Sequence, residues 1–133
     1  MSALSILVAD DEENICVLLE QWFKALGHTV KTAQSGSGAL RLLGDFRADL
    51  VVTDILMPDG DGVTLINGVR KVLPGARILA ISGGGRYMDG TDYLKIAKGL
   101  GADGAILKPF TRVQFMQAVE TALAKRETNS GFL

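Results

Sequence analysis

The chain predicts a doubly wound α/β domain, a five-stranded parallel sheet with helices on both faces, and three observations carry that expectation. Short apolar runs alternate strictly with stretches whose apolar residues recur at helical spacing, five of each. The runs SILVA at Ser5 to Ala9 and LVVT at Leu50 to Thr53 are predominantly apolar and do not alternate with polar residues, which suits strands covered on both faces. Four of the five runs end in polar residues able to do chemistry: Asp10 and Asp11, then Asp54, then Ser82, then Lys108.

In chain order, the first strand runs from Ser5 to Ala9. From Ile15 the positions Ile15, Leu18, Leu19, Trp22 and Leu26 follow helical spacing, and Gly27 stands where a left-handed cap closes that helix. Thr29 to Thr32 favours an edge strand, and Ser35 to Leu43 a second helix broken by Gly44 and Asp45. Leu50 to Thr53 is the organising strand, stopped at Asp54 ahead of the turn residues Pro58, Gly60 and Gly62. A helix from about Val63 to Leu73 turns Ile66, Val69 and Leu73 inward and ends at Pro74-Gly75. Arg77 to Ile81 is the fourth strand, and the glycines 83 to 85 precede a helix with Tyr93, Ile96, Ala97 and Leu100 inward. Gly104 to Leu107 is the fifth strand. Thr111 and Gln114 form a capping box for a last helix carrying Phe115, Val119, Ala122 and Leu123. Residues 1–127 make one domain. The tail 128–133 carries no signal and is expected to fray, with no output domain expected after it.

Composition narrows the function. The 133 residues leave no room for a second domain, and a net charge of -1 offers no general attraction for nucleic acid or anionic membrane. Cys16 stands alone, no apolar stretch spans a bilayer, and the N-terminus runs straight into a strand; the expected location is cytoplasmic.

In the flavodoxin-like strand order 2-1-3-4-5, ligands sit beyond the carboxyl ends of the strands, and the polar strand ends become neighbours in space. Three carboxylates sharing a pocket repel unless protonated or compensated, and a hard divalent ion, Mg2+, suits such an open acidic cup. Phosphoryl transfer needs an in-line nucleophile, charge neutralisation and positioning. Asp54 can attack phosphorus, Asp11 can hold the metal with Asp10 ligating through water, Lys108 can pair with a phosphoryl oxygen, and Ser82 can donate to another.

The motifs VADDEE at Val8 to Glu13, TDILMPDGDG at Thr53 to Gly62, AISG at Ala80 to Gly83 and LKPF at Leu107 to Phe110 give the chain a clear likeness. From about Ile6 to Lys125 it resembles a bacterial response-regulator receiver domain. The resemblance implies a flavodoxin-like receiver fold, with Asp54 phosphorylated from a phosphohistidine of a sensor histidine kinase or histidine phosphotransfer protein. It implies Mg2+ held by Asp10, Asp11, Asp54 and the backbone carbonyl of Leu56, and a cis peptide before Pro109. It also implies that the chain catalyses only its own aspartyl phosphorylation and dephosphorylation, and that a downstream protein partner docks on helix 4, strand 5 and helix 5.

Ala105 occupies the fifth-strand position that is usually aromatic in such domains, which puts the usual two-residue relay with Ser82 in question. The segment Gly83 to Asp92, GGGRYMDGTD, is a few residues longer than the common form. With its helix it is expected to carry the switch, and Tyr87 or Tyr93 to replace the aromatic contact. His28, beside Gly27, reads as an exposed bystander and Cys16 as a small packing residue; Glu12 and Glu13 read first as acids favoured by a helix start, with an approach to the metal's outer shell as the alternative. Two other classes compete. A Mg-dependent phosphatase with an aspartyl nucleophile would carry a DxD pattern after the first strand, where this chain has adjacent Asp10-Asp11. A flavin or nucleotide module would carry a Gly-, Ser- or Thr-rich phosphate loop where this chain has DDEEN.

Overall fold

The computed structural model describes residues 3–57, 61–83 and 90–130, and among these five strands alternate with five helices. β1 (Ser5–Ala9), β2 (Thr29–Ala33), β3 (Leu50–Asp54), β4 (Arg77–Ser82) and β5 (Gly104–Leu107) form one parallel sheet in the order β2-β1-β3-β4-β5. The helices are α1 (Glu13–Ala25), α2 (Gly36–Leu42), α3 (Asp61–Val72), α4 (Gly90–Gly99) and α5 (Arg112–Ser130).

Alternation along the central strands builds two cores. Leu7, Ala9, Val51, Ile78 and Ala80 face one side and pack with Ala39 of α2, Leu65, Ile66 and Val69 of α3 and Ala97 of α4. Ile6, Val8, Val52, Leu79 and Ile81 face the other and pack with Cys16, Leu19 and Phe23 of α1 and Phe115, Val119 and Ala122 of α5. Each fully buried Leu, Ile or Phe among these contributes about 1.5–3 kcal/mol of transfer free energy. That double coverage explains the unbroken apolar runs Ile6 to Ala9 in β1 and Leu50 to Val52 in β3.

The termini of the elements are set locally. Ser35 caps α2 by accepting a hydrogen bond from the Gly38 amide at 3.0 Å. Thr111 Oγ1 accepts from the Gln114 amide at 3.1 Å while Gln114 Oε1 accepts from the Thr111 amide at 2.9 Å, the reciprocal capping box ahead of α5. Gly27 ends α1 with φ +90°, its amide on the Lys24 carbonyl.

Four expectations need correction. His28 is buried: its Nδ1 accepts from the Leu4 amide at 2.9 Å and its ring packs edge-on to Phe23, because the Gly27 turn returns the chain onto the start of β1. The buried stripe of α1 is Cys16, Leu19 and Phe23, and Leu26 falls beyond the helix with its side chain in solvent. On α4, Ala97 is buried but Ile96 is exposed; so short a helix lying against the sheet near its edge buries only one line of positions. α5 runs to Ser130, three residues past the predicted end, although Thr128, Asn129 and Ser130 are themselves weak helix formers. Pro58, Gly60, Tyr87 and the side chain of Tyr93 lie outside the described residues, as does most of the segment from 83 to 92.

At the sheet's amino end, Arg70 of α3 ties three segments together. Its guanidinium donates to the carbonyls of Ala76 and Gly101 and lies 2.8 Å from Asp103 Oδ2, which also accepts from the Ile78 amide at 2.8 Å. This clasp fixes the entries to β4 and β5 and hence where their far ends emerge.

Candidate functional site

All the candidate side chains stand at the carboxyl edge of the sheet. β1 delivers Asp10, whose amide donates to the Ala33 carbonyl and whose Oδ1 accepts from the Glu12 amide at 2.9 Å, a local turn that starts α1. Asp54 is the last residue of β3. Its Oδ1 accepts from the Leu56 amide at 3.0 Å, so one side of the carboxylate is held by backbone. Gly62 makes this possible, because a Cβ there would land on the Asp54 carbonyl as α3 begins against the strand end. Ser82 closes β4, buried, and its carbonyl accepts from the Lys108 amide at 2.7 Å. The Lys108-Pro109 peptide bond is cis.

The Lys108 ammonium sits among carboxylates. It lies 3.1 Å from Asp10 Oδ2, 3.1 Å from Asp54 Oδ2 and 3.2 Å from Glu12 Oε1. Asp10 is 0% and Asp54 6% exposed, so these are ionic contacts made largely out of water. Burial raises the pKa of Asp10 above the ordinary carboxylate range despite the Glu12 amide and Lys108. Burial likewise raises Asp54, with Lys108 pulling back. Burial alone would lower Lys108, but Asp54 and Asp10 outweigh it and hold the ammonium more tightly protonated than a free lysine.

One ammonium does not satisfy this much charge. Asp10, Asp11 and Asp54 each offer an oxygen, all within 4.8 Å of one another, and Asp10 Oδ2 is buried without a well-aligned hydrogen bond even though Lys108 lies close. An all-oxygen donor set with an exposed member, Asp11, fits a hard divalent cation that keeps part of its water. Leu56 flanks the group through its amide on Asp54, its side chain in solvent.

The structure therefore brings Asp10, Asp11, Asp54 and Lys108 into one cluster and puts Ser82 at the adjoining strand end. Ala105, on β5 opposite Ala80, is partly buried against the core on the α2-α3-α4 side. Glu12, read from the sequence chiefly as an acid favoured by the helix start, joins the cluster through Lys108. The available signal was its poor fit to the helix-cap position it occupies, where Ser, Thr, Asp or Asn is favoured and where its side chain makes no capping bond.

A sequence model of the response regulator receiver domain matches residues 6–120. The chain belongs to this family. Among curated relatives it is 37% identical over 123 residues to the DNA-binding transcriptional regulator NtrC of Azospirillum brasilense, a match covering 92% of this chain and 25% of that protein. The chain spans between a quarter and about half the length of the curated relatives it matches. Among solved structures, chemotaxis response regulator CheY4 of Vibrio cholerae superposes with TM-score 0.81 over 92% of this chain and all of that one; at 23% identity this is a likeness of fold. A response regulator from Burkholderia pseudomallei, solved with a phosphorylated aspartic acid, calcium ion and citrate, is 25% identical, with TM-score 0.78 over 96% of this chain and 72% of that one. Membership selects the receiver among the three function classes that the sequence left in competition. No helix among the described residues is long and apolar enough to cross a membrane.

Proposed function

We propose that this receiver is a phosphorylation switch whose acceptor is Asp54, loaded from a phosphohistidine of a sensor kinase or phosphotransfer protein. One observation carries the reading: a buried strand-end carboxylate, fixed by the Leu56 amide, shares the Lys108 ammonium with Asp10 in an acidic cluster whose three carboxylates bring oxygens within 4.8 Å of one another. An Asp54 carboxylate oxygen attacks phosphorus, the P–N bond of the donor breaks, and the imidazole leaves as the phosphoryl group becomes an aspartyl phosphate. Asp10, Asp11, Asp54 and the backbone carbonyl of Leu56 would hold Mg2+, which when bound neutralises phosphoryl oxygens and orients them. Lys108 pairs with a phosphoryl oxygen and Ser82 donates to another. The phosphorylated aspartate and calcium ion of the Burkholderia relative support the same chemistry here.

Catalysis in this reading is confined to the chain's own phosphorylation and its reversal. Output passes to a protein partner through α4, β5 and α5, where Ile96 and Leu107 expose apolar surface, rather than to nucleic acid or membrane. With Ala105 on β5, Ser82 passes its movement to the backbone after β4 and so to α4. The receiver acts in the cytoplasm. Incubation with acetyl phosphate and Mg2+ tests the core of this reading by intact mass. Wild type gains one phosphoryl group and Asp54→Ala gains none; a label that persists on the variant refutes Asp54 as acceptor.

A further inference from the structure

We propose that Glu12 is a positioning residue that takes over the Lys108 ammonium, releasing Asp10 and Asp54 for the divalent cation. The inference rests on the cation-binding reading above and adds a residue to it.

Lys108 is shared by three carboxylates at nearly equal distance, but the three are not equivalent. The oxygens that hold it on Asp10 and Asp54 are Oδ2 atoms at 3.1 Å, and these two residues belong to the set of three whose oxygens converge within 4.8 Å. A carboxylate oxygen cannot serve a cation and an ammonium without dividing its charge between them. Glu12 stands outside that set, 61% exposed, and meets Lys108 at 3.2 Å from the solvent side. It is the one acceptor of Lys108 among the described residues that cation binding does not need.

Its placement is built in. The Glu12 amide is fixed to Asp10 Oδ1 at 2.9 Å, and its carbonyl accepts from the amides of Ile15 and Cys16 at the start of α1. The side chain ignores the helix it caps and reaches a residue 96 positions away. A favourable helix-dipole position accounts for a negative charge here, but not for a contact with Lys108. Without Glu12, the acceptors left to Lys108 among the described residues are the two carboxylates that the cation requires, so ammonium and cation compete.

A double-mutant cycle on Mg2+ affinity, read by titration calorimetry and by the rise in melting temperature with Mg2+, tests this. Glu12→Gln in the wild-type background is expected to weaken Mg2+ binding about five- to tenfold, a coupling of ordinary size for a contacting charge pair. In a Lys108→Met background the same substitution is expected to change affinity less than about twofold. Lys108→Gln replaces Lys108→Met if that variant does not fold. An equal loss in both backgrounds means that Glu12 acts only as a nearby charge, and no loss in either means that it does not act; each overturns the proposal. Wild type that binds no Mg2+ instead overturns the cation site itself, so the two failures are told apart.

Discussion

Replacing Asp54 with asparagine should stabilise the protein when no divalent cation is present. Asp10, Asp11 and Asp54 carry oxygens within 4.8 Å of one another, so each like-charge pair costs at least about 3.5 kcal/mol at an effective dielectric constant of about 20. Asp54 enters two such pairs, while its one attraction, to Lys108 at 3.1 Å, returns about 5 kcal/mol on the same scale. Water around the exposed Asp11 discounts its share, and the desolvation of Asp54 itself adds to the penalty. The balance favours Asp54→Asn by about 1–2 kcal/mol, or roughly 3–6 °C in melting temperature for a domain of this size. The pH dependence has a definite sign. Burial holds the native Asp54 carboxyl above the ordinary value it has in the unfolded chain, so between the two the native state binds more protons than the unfolded one. Wild-type stability therefore falls as pH rises through that window, and the variant lacks this component. Magnesium at a hundred times its dissociation constant adds about 2.7 kcal/mol to wild type and far less to the variant. Urea unfolding of both proteins across pH, with and without Mg2+, reads all three effects. A variant no more stable than wild type without cation, or one that gains as much from Mg2+, refutes the reasoning.

Other parts of the molecule make their own predictions. Arg70→Ala removes charge-assisted bonds to two loops and leaves the buried Asp103 with only the Ile78 amide, so urea unfolding should show a loss of about 2–4 kcal/mol. Arg70→Lys should recover only part of it, since an ammonium cannot reproduce the fork. Gly62→Ala places a methyl group against the Asp54 carbonyl and should cost about 1–3 kcal/mol while slowing phosphorylation; unchanged melting and unchanged rate would mean that α3 does not start so close to β3. Burial pushes the Cys16 thiol up to about 11, with the Asp10 charge adding to the effect. A thiol reagent at pH 8 should therefore label Cys16 no faster than the protein unfolds. Between pH 9 and about 11 the native state keeps a proton that the unfolded chain has lost, so stability should fall as pH rises across that range.

The fold was legible because it is written in periodicity. A strand covered on both faces has few polar positions to place, and β1 runs apolar from Ile6 to Ala9 and β3 from Leu50 to Val52. The site was legible for a related reason: a carboxylate, hydroxyl or ammonium where an apolar strand stops has few structural reasons to be there. The misses share a different cause, contacts between residues distant in sequence. His28 is buried by an amide that precedes β1, and nothing in the order of residues around Gly27 announces it. Glu12 looks like any acid at a helix start until β5 brings Lys108 across the sheet edge. The Arg70 clasp joins residues on α3, before β4 and before β5, and no motif marks it. Ile96 follows the helical stripe that Ala97 obeys, yet α4 is too near the edge of the sheet to bury both.

Asp54 as the phosphoryl acceptor is tested most directly by chemistry that records the site itself. Borohydride reduces an aspartyl phosphate to homoserine, so wild type treated with acetyl phosphate and Mg2+, reduced and digested, should carry homoserine at position 54 and at no other position. Homoserine at another aspartate, or an unaltered residue 54 in protein that has gained a phosphoryl group, would contradict it.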